Sequence, residues 1–65
     1  MMPTLTIALD AMGGDIGPPI ILAGAVQALQ AHPNLHIIAC GNAQQIALNT
    51  HELKSDIASR ITIFH

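Results

Sequence analysis

The sequence predicts an α/β fold whose elements alternate as β-α-β-α-β, the start of a doubly wound parallel-sheet domain. Two observations predict this fold. Short apolar runs of strand length occur three times, and segments with helical spacing of apolar residues separate them. Strands that alternate with helices are joined by right-handed crossovers into a parallel sheet.

The first strand is predicted over Leu5–Leu9, a largely apolar run that ends at Asp10. Such a run suits a strand that is covered on both faces. The loop that follows, residues 12–19, contains three glycines. Either Pro18 or Pro19 suits the first position of a helix, because the missing N–H would have no helical partner there.

The first helix is predicted over Ile20–Ala31, where apolar side chains recur at helical spacing, and Pro33 ends it. The second strand is predicted over Leu35–Cys40 by the same criteria as the first. Asn42 then suits a helix N-cap, with Gln45 three residues later as in a capping box.

The second helix is predicted from Ala43 to about His51. Residues 52–59 are predicted to form a turn and a loose helical stretch, and Arg60–Phe64 is predicted to be the third strand. Residues 1–65 are thus assigned to the N-terminal part of a single α/β domain.

The composition is that of a protein interior, with 51% hydrophobic and 9% charged residues, against about 25% charged in an ordinary domain. A domain of 65 residues buries little surface and usually needs a disulfide, a metal or a partner. Cys40 is the only cysteine, and the histidines lack zinc-site spacing. We therefore expect a truncated piece of a larger domain, with a very apolar miniprotein as the alternative.

The formal net charge is −2, and the two basic residues, Lys54 and Arg60, are too few for a nucleic-acid or polybasic membrane interface. No secretory signal pattern opens the chain, and no apolar stretch approaches the ~20 residues of a spanning helix. A single cysteine also fits a reducing compartment. These features favour a cytoplasmic protein.

Four residues after the first strand are candidates for binding phosphate or another anion: Asp10, Gly13, Gly14 and Asp15. Ligands of open α/β sheets bind beyond the carboxyl ends of the strands. Glycines there let backbone N–H groups approach an anion, and the next helix adds the positive end of its dipole. The alternative is that the glycines serve only a tight turn.

Asp10 and Asp15 also suit a carboxylate pair for acid–base chemistry or metal binding. The alternative is that Asp10 caps backbone N–H groups and that the helix dipole favours Asp15. Met12 is predicted to be a packing residue and Cys40 a small buried side chain. No catalytic residue and no metal ligand is assigned.

The glycine spacing does not match the dinucleotide fingerprint or the P-loop, and no acidic residue ends the second strand to hold a ribose. NAD and P-loop nucleotides are therefore disfavoured, and no cofactor is predicted.

Residues 9–18, read as L-D-A-M-G-G-D-I-G-P, resemble the D-x-M-G-G-D-x-G-P opening of the bacterial phosphate acyltransferase family at every fixed position. The proline-started helix and Gly41-Asn42 after the second strand agree with it. The resemblance extends through essentially all 65 residues, but it covers only about the first fifth of a family member.

The resemblance implies a fold related to phosphate acetyltransferases and isocitrate dehydrogenases. It implies transfer of a fatty acyl group from acyl carrier protein to inorganic phosphate, which gives an acyl phosphate for phospholipid synthesis. It further implies a homodimer, soluble or peripherally associated with the membrane. Gly13, Gly14 and Asp15 would then lie in or beside the phosphate site.

The sequence leaves two rival functions open. One is a phosphate acetyltransferase-like enzyme that uses coenzyme A thioesters. The other is an inactive remnant or small interaction protein, favoured by a sheet face that the predicted elements leave uncovered. The chain also lacks an evident oxyanion hole, a cationic cluster and a basic patch for acyl carrier protein. We expect the 65-residue chain alone to be inactive.

Overall fold

A computed structural model describes residues 3–13 and 17–65. In this part of the chain, three strands alternate with helices in the order β1 (Leu5–Asp10), α1 (Gly17–Ala31), β2 (Leu35–Cys40), α2 (Ala43–Leu48), α3 (Ser55–Ala58) and β3 (Ile61–Phe64). The predicted α/β fold is confirmed.

The three strands form one parallel sheet in the order β1-β2-β3. Leu5 lies opposite Leu35 at the start of the first pair, and Asp10 lies opposite Cys40 at its end. Phe64 lies opposite Cys40 on the other side. The carboxyl ends of all three strands therefore meet in one row across the sheet.

All three helices pack on the same face of the sheet. The alternate residues Leu35, Ile37 and Ala39 of β2 are buried. The first two share a buried cluster with α1 and α3, and Ala39 shares a second cluster with α1 and α2. Right-handed crossovers explain this arrangement, since strands added in one direction place every connecting helix on one side.

Large apolar side chains fill the space between this face and the helices. Leu22 and Leu29 of α1 and Ile46 of α2 are fully buried, and Ile57 of α3 is buried beside them. Several others are exposed, as the interior-like composition led us to expect: Leu5, Ile7, Ile20, Leu48, Ile63 and Phe64.

Helix α1 begins at Gly17, three residues before the predicted start at Ile20. Pro18 and Pro19 therefore lie within its first turn, where a backbone nitrogen without hydrogen leaves no helical hydrogen bond unmade. The predicted end at Ala31 is confirmed.

Helix α2 ends at Leu48, before the predicted end near His51. The backbone N–H of Asn49 donates to the carbonyl of Ile46, and that of Thr50 donates to Ala47, so the last turn tightens to three-residue spacing. The Thr50 hydroxyl also donates to the Ile46 carbonyl at 3.0 Å. These local bonds end the helix early.

Arg60 precedes β3 instead of beginning it, and its guanidinium group joins the end of α1 to the start of β2. Nε donates to the carbonyl oxygen of Leu35 at 3.0 Å, and Nη2 donates to that of Leu29 at 2.8 Å and to that of His32. A cation at these last carbonyls also complements the negative end of the helix dipole.

No helix of the described residues is long and apolar enough to cross a bilayer.

Candidate functional site

The candidate site lies at the carboxyl ends of β1 and β2, where two loops leave the sheet side by side. The backbone N–H of Ala11 donates to the carbonyl of Cys40 at 2.9 Å, and that of Gly41 donates to Phe64 at 3.0 Å. The hydrogen-bond ladder therefore continues one residue past the ends of β1 and β2, and it holds the start of each loop against the next strand.

Asp10 shapes the first of these loops. Its Oδ1 accepts a hydrogen bond from the backbone N–H of Met12 at 2.9 Å, and its carbonyl accepts one from Gly13 at 3.3 Å. The side chain thus imitates a backbone turn, as aspartate commonly does at the start of a loop. The structure shows the capping role that was considered for Asp10 as an alternative to chemistry.

Gly13 lies close to both the carbonyl group and the carboxylate of Asp10. A Cβ at this position would lie 3.3 Å from the Asp10 carbonyl oxygen and 3.4 Å from its Oδ2. A larger residue would make a tight contact with the carbonyl oxygen, so this turn favours glycine. The structure therefore brings together two of the four predicted site residues, Asp10 and Gly13. The other two, Gly14 and Asp15, lie outside the described residues, and the Asp10–Asp15 carboxylate pair stays a prediction.

The second loop approaches the first through Gly41. This glycine has φ of +145°, and a Cβ on it would lie 2.7 Å from Met12 Cγ and 3.0 Å from Met12 Cε. The Met12 side chain therefore packs directly against Gly41. Met12 was predicted to be a packing residue, and it packs against the second buried cluster. Sequence reasoning assigned no role to Gly41, although a glycine directly after a strand commonly marks a close backbone approach.

The N-terminus of α2 is capped by two side chains. Asn42 Oδ1 accepts from the backbone N–H of Gln45 at 3.0 Å, which confirms the predicted N-cap. His65 Nδ1 accepts from the N–H of Ala43 at 3.1 Å. The contact of His65 was missed because its partner lies 22 residues away in sequence.

Cys40 is half-buried, and its Sγ lies 3.9 Å from the carbonyl oxygen of Ile38 in the same strand. It is thus less enclosed than predicted, because it points away from the face that the helices cover. Among the described residues, no three His, Cys, Asp or Glu side chains converge into a metal site.

The two basic residues do not serve the candidate site. Arg60 precedes the amino end of β3, at the opposite end of the sheet from Asp10 and Gly13, and its guanidinium group bonds to carbonyl oxygens. Lys54 is exposed next to α3. A phosphate near Asp10 would therefore need its positive partner from residues outside this set.

The sequence profile of the family described as "Fatty acid synthesis protein" matches residues 5–65. The chain belongs to the fatty acid synthesis protein family. This membership confirms the resemblance seen in residues 9–18.

Curated relatives of this family member bear the name phosphate acyltransferase. The protein of Shewanella loihica is 48% identical over 64 residues, which cover 98% of this chain and 19% of the relative. The proteins of Psychromonas ingrahamii and Vibrio parahaemolyticus are 45% and 44% identical over the same share of this chain, and over 18% and 19% of their own lengths. The chain thus spans about a fifth of the length of these relatives. No solved structure matches it at a significant level.

Proposed function

We propose that the chain supplies the first β-α-β-α-β unit of an enzyme that transfers a fatty acyl group from acyl carrier protein to inorganic phosphate. The observation that carries this proposal is the match of residues 5–65 to the family, together with relatives named phosphate acyltransferase. In the reaction, a phosphate oxygen bonds to the thioester carbonyl carbon and the C–S bond breaks. The products are an acyl phosphate and the free thiol of the carrier, whose sulfur takes up a proton.

The loop after β1 suits the phosphate in this reaction. It leaves the carboxyl end of its strand, where open α/β sheets bind ligands. Asp10 Oδ1 fixes the turn through Met12, so the backbone at Gly13 is held in place before a ligand arrives. Such preorganisation matters because phosphate is the nucleophile and must be held at the correct distance from the thioester. We include Gly14 and Asp15 in this proposed phosphate site on the sequence match alone.

The charge of Asp10 assigns it a positioning role. A carboxylate repels phosphate, and the only two basic residues of the chain lie elsewhere. We therefore propose that Asp10 shapes the loop and that a lysine or arginine from the rest of the enzyme holds the anion. Homodimer formation, binding of acyl carrier protein, a cytoplasmic location and peripheral membrane association are further proposals that rest on the family resemblance.

A chimeric enzyme tests the function. The 64 aligned residues of the Shewanella loihica phosphate acyltransferase are replaced by those of this chain. We expect the purified chimera to release free acyl carrier protein from acyl carrier protein thioesters, and the release to depend on phosphate. Acyl-coenzyme A in place of the carrier thioester identifies the donor class. A chimera that folds like its parent but releases no thiol would overturn the proposal.

The 65-residue chain alone is the matched control. We expect it to release no free acyl carrier protein, because the described residues hold no cation at the site. Phosphate-dependent release by the purified chain would show that the chain needs no further residues for catalysis.

A small interaction protein is the second candidate, favoured by six large apolar side chains that are exposed among residues 3–13 and 17–65. An antibody against residues 1–65 distinguishes the two in an extract of the source cell. If the chain is part of the enzyme, we expect a band about five times heavier than the 65-residue chain, because the chain spans 19% of the length of its relative. A band at the mass of the chain itself favours the interaction protein.

A further inference from the structure

The two loops of the candidate site meet where Met12 packs against Gly41. A Cβ placed on Gly41 would lie 2.7, 3.0 and 3.6 Å from Cγ, Cε and Sδ of Met12. The methionine thus lies along the glycine from its Cγ to its terminal methyl group. Real Cβ atoms essentially never approach another heavy atom within 3.0 Å, so a side chain at position 41 would displace Met12 from this position.

Both partners of this contact are held in place by other groups. The backbone N–H of Met12 donates to Asp10, and its side chain packs against the buried residues Ala11, Leu22, Ala39 and Ile46. Gly41 donates its own N–H to the carbonyl of Phe64, and the next residue, Asn42, caps α2. The contact therefore ties the first loop to a surface that the core and the sheet hold rigid.

We propose that Met12, packed against Gly41, is a positioning residue. It fixes where Gly13 lies relative to the strand ends, and so where the loop binds phosphate. This inference rests on the proposed function of the loop. Met12 and Gly13 are adjacent in the chain, so a shift of the Met12 backbone moves Gly13 as well. A misplacement of about 1 Å can lower the rate of an enzyme about a hundredfold, and a flexible thioether adapts well to a close backbone approach.

The test uses the full-length chimera with single substitutions at the contact. In Gly41→Ala, the new methyl group displaces Met12, and we expect the KM for phosphate to rise about tenfold or more. The KM for the acyl carrier protein thioester should stay unchanged. Met12→Ala should raise the KM for phosphate several-fold, and Met12→Leu, which refills most of the volume, should restore it.

Gly24→Ala is the matched control for the glycine substitution. A Cβ on Gly24 meets nothing within 4 Å, and the residue lies exposed on α1. We expect this variant to keep both KM values of the unsubstituted chimera.

A double variant separates the contact from the backbone strain of Gly41→Ala, which the positive φ adds. If the new methyl group acts through Met12, then adding Gly41→Ala to Met12→Ala should raise the KM for phosphate less than it does with Met12 present. If Gly41→Ala raised the KM for phosphate by the same factor with Met12 and with Ala at position 12, the proposal would be overturned. Met12→Ala introduces no steric clash. If it raised the KM for phosphate and the KM for the acyl carrier protein thioester by the same factor, the proposal would also be overturned.

Amide hydrogen exchange of the same variants keeps this inference separate from the proposed function. The contact predicts faster exchange at Met12 and Gly13 in Met12→Ala and Gly41→Ala than in Met12→Leu, whatever the enzyme acts on. If the unsubstituted chimera does not use phosphate while exchange changes as expected, the proposed function fails and the positioning contact stands. If exchange at Met12 and Gly13 is the same in all variants, the contact does not position the loop.

Discussion

The Asp10 side chain, at the end of β1, hydrogen-bonds to the backbone of its own loop. Its Oδ1 accepts a hydrogen bond from the N–H of Met12, and its Oδ2 lies near Gly13. An asparagine at this position would still offer an oxygen that can accept the hydrogen bond from Met12. The shape of the turn and the charge of the side chain can therefore be separated by substitution.

Two substitutions of Asp10 test this separation. Asp10→Asn keeps an acceptor oxygen, so we expect local opening at Met12 to change by less than about 0.5 kcal/mol. Asp10→Ala removes the acceptor and should lower the opening free energy by about 1 kcal/mol. Amide hydrogen exchange at Met12 in the chimera measures both. Equal effects of the two variants would show that the hydrogen bond does not stabilise the turn.

The cap of α2 offers a second prediction at the scale of one residue. Asn42→Ala removes the oxygen that accepts from Gln45 and should lower the free energy of unfolding of this region by about 1 kcal/mol. Asn42→Ser retains a capping oxygen and serves as the control. Exchange of the Gln45 amide reports the loss. A serine variant as unstable as the alanine variant would contradict the capping role.

How far the sequence predicts a residue's role depends on where its partner lies. Asn42 and its partner Gln45 are three residues apart, so the cap was visible as a local pattern. The partners of Gly41 and His65 come from other elements of the fold. Their contacts exist only after the sheet has assembled, and no local spacing predicts them.

At the scale of the element, Arg60 supplies side-chain donors to carbonyl groups at the C-terminal end of α1. Pro33 stops the helix in sequence, but its last carbonyls still need donors. The guanidinium group supplies three hydrogen bonds, to Leu29, His32 and Leu35. One side chain thus fixes the angle at which the chain leaves α1 and enters β2.

Arg60→Met should lower the free energy of unfolding by about 2 kcal/mol, because it removes charge-assisted hydrogen bonds but keeps an apolar stem of similar length. Lys54→Met is the matched control, since Lys54 is the only other basic residue and is exposed. We expect its effect to stay within about 0.5 kcal/mol. Chemical denaturation of both chimeras measures the difference. Equal losses would indicate that net charge, and not the carbonyl contacts, accounts for the effect.

The boundaries of the elements were predictable where one residue decides them. Strand β2 spans the predicted Leu35–Cys40, with Pro33 before it and Gly41 after it. Helix α1 begins at Gly17 and not at the predicted Ile20, and both prolines fit its first turn, the position that the sequence indicated for one of them. The end of α2 was placed too late, because the hydroxyl of Thr50 competes for the helix carbonyls.

At the scale of the whole molecule, apolar residues remain on the surface after the described elements have packed. Leu5 and Ile7 lie on β1 and Ile63 and Phe64 on β3, and both strands are edges of the described sheet. Unpaired strand edges with apolar side chains favour association with other chains.

We therefore expect the isolated 65-residue chain to self-associate at micromolar concentration and to bind an apolar dye. Sedimentation velocity and dye fluorescence measure the two effects. Ile7→Thr combined with Phe64→Thr lowers the apolar area while keeping strand propensity, so this variant should associate less. A monomeric chain that unfolds cooperatively would contradict the expectation.

The alternation of strands and helices predicted the parallel sheet, but it did not predict the order of the strands or the covered face. Those depend on which strand each crossover returns to. In the structure, each crossover places the next strand directly beside the preceding one. Helices α1, α2 and α3 pack on one face of β2.

This strand order also determines which edge of the sheet borders a ligand crevice. A further parallel strand next to β3 would keep the direction of winding and place its helix on the face already covered. A strand next to β1 would reverse the direction and place its helix on the opposite face. Open α/β sheets bind ligands where the winding reverses. Asp10 and Gly13, at the carboxyl end of β1, stand beside the edge at which that reversal would occur.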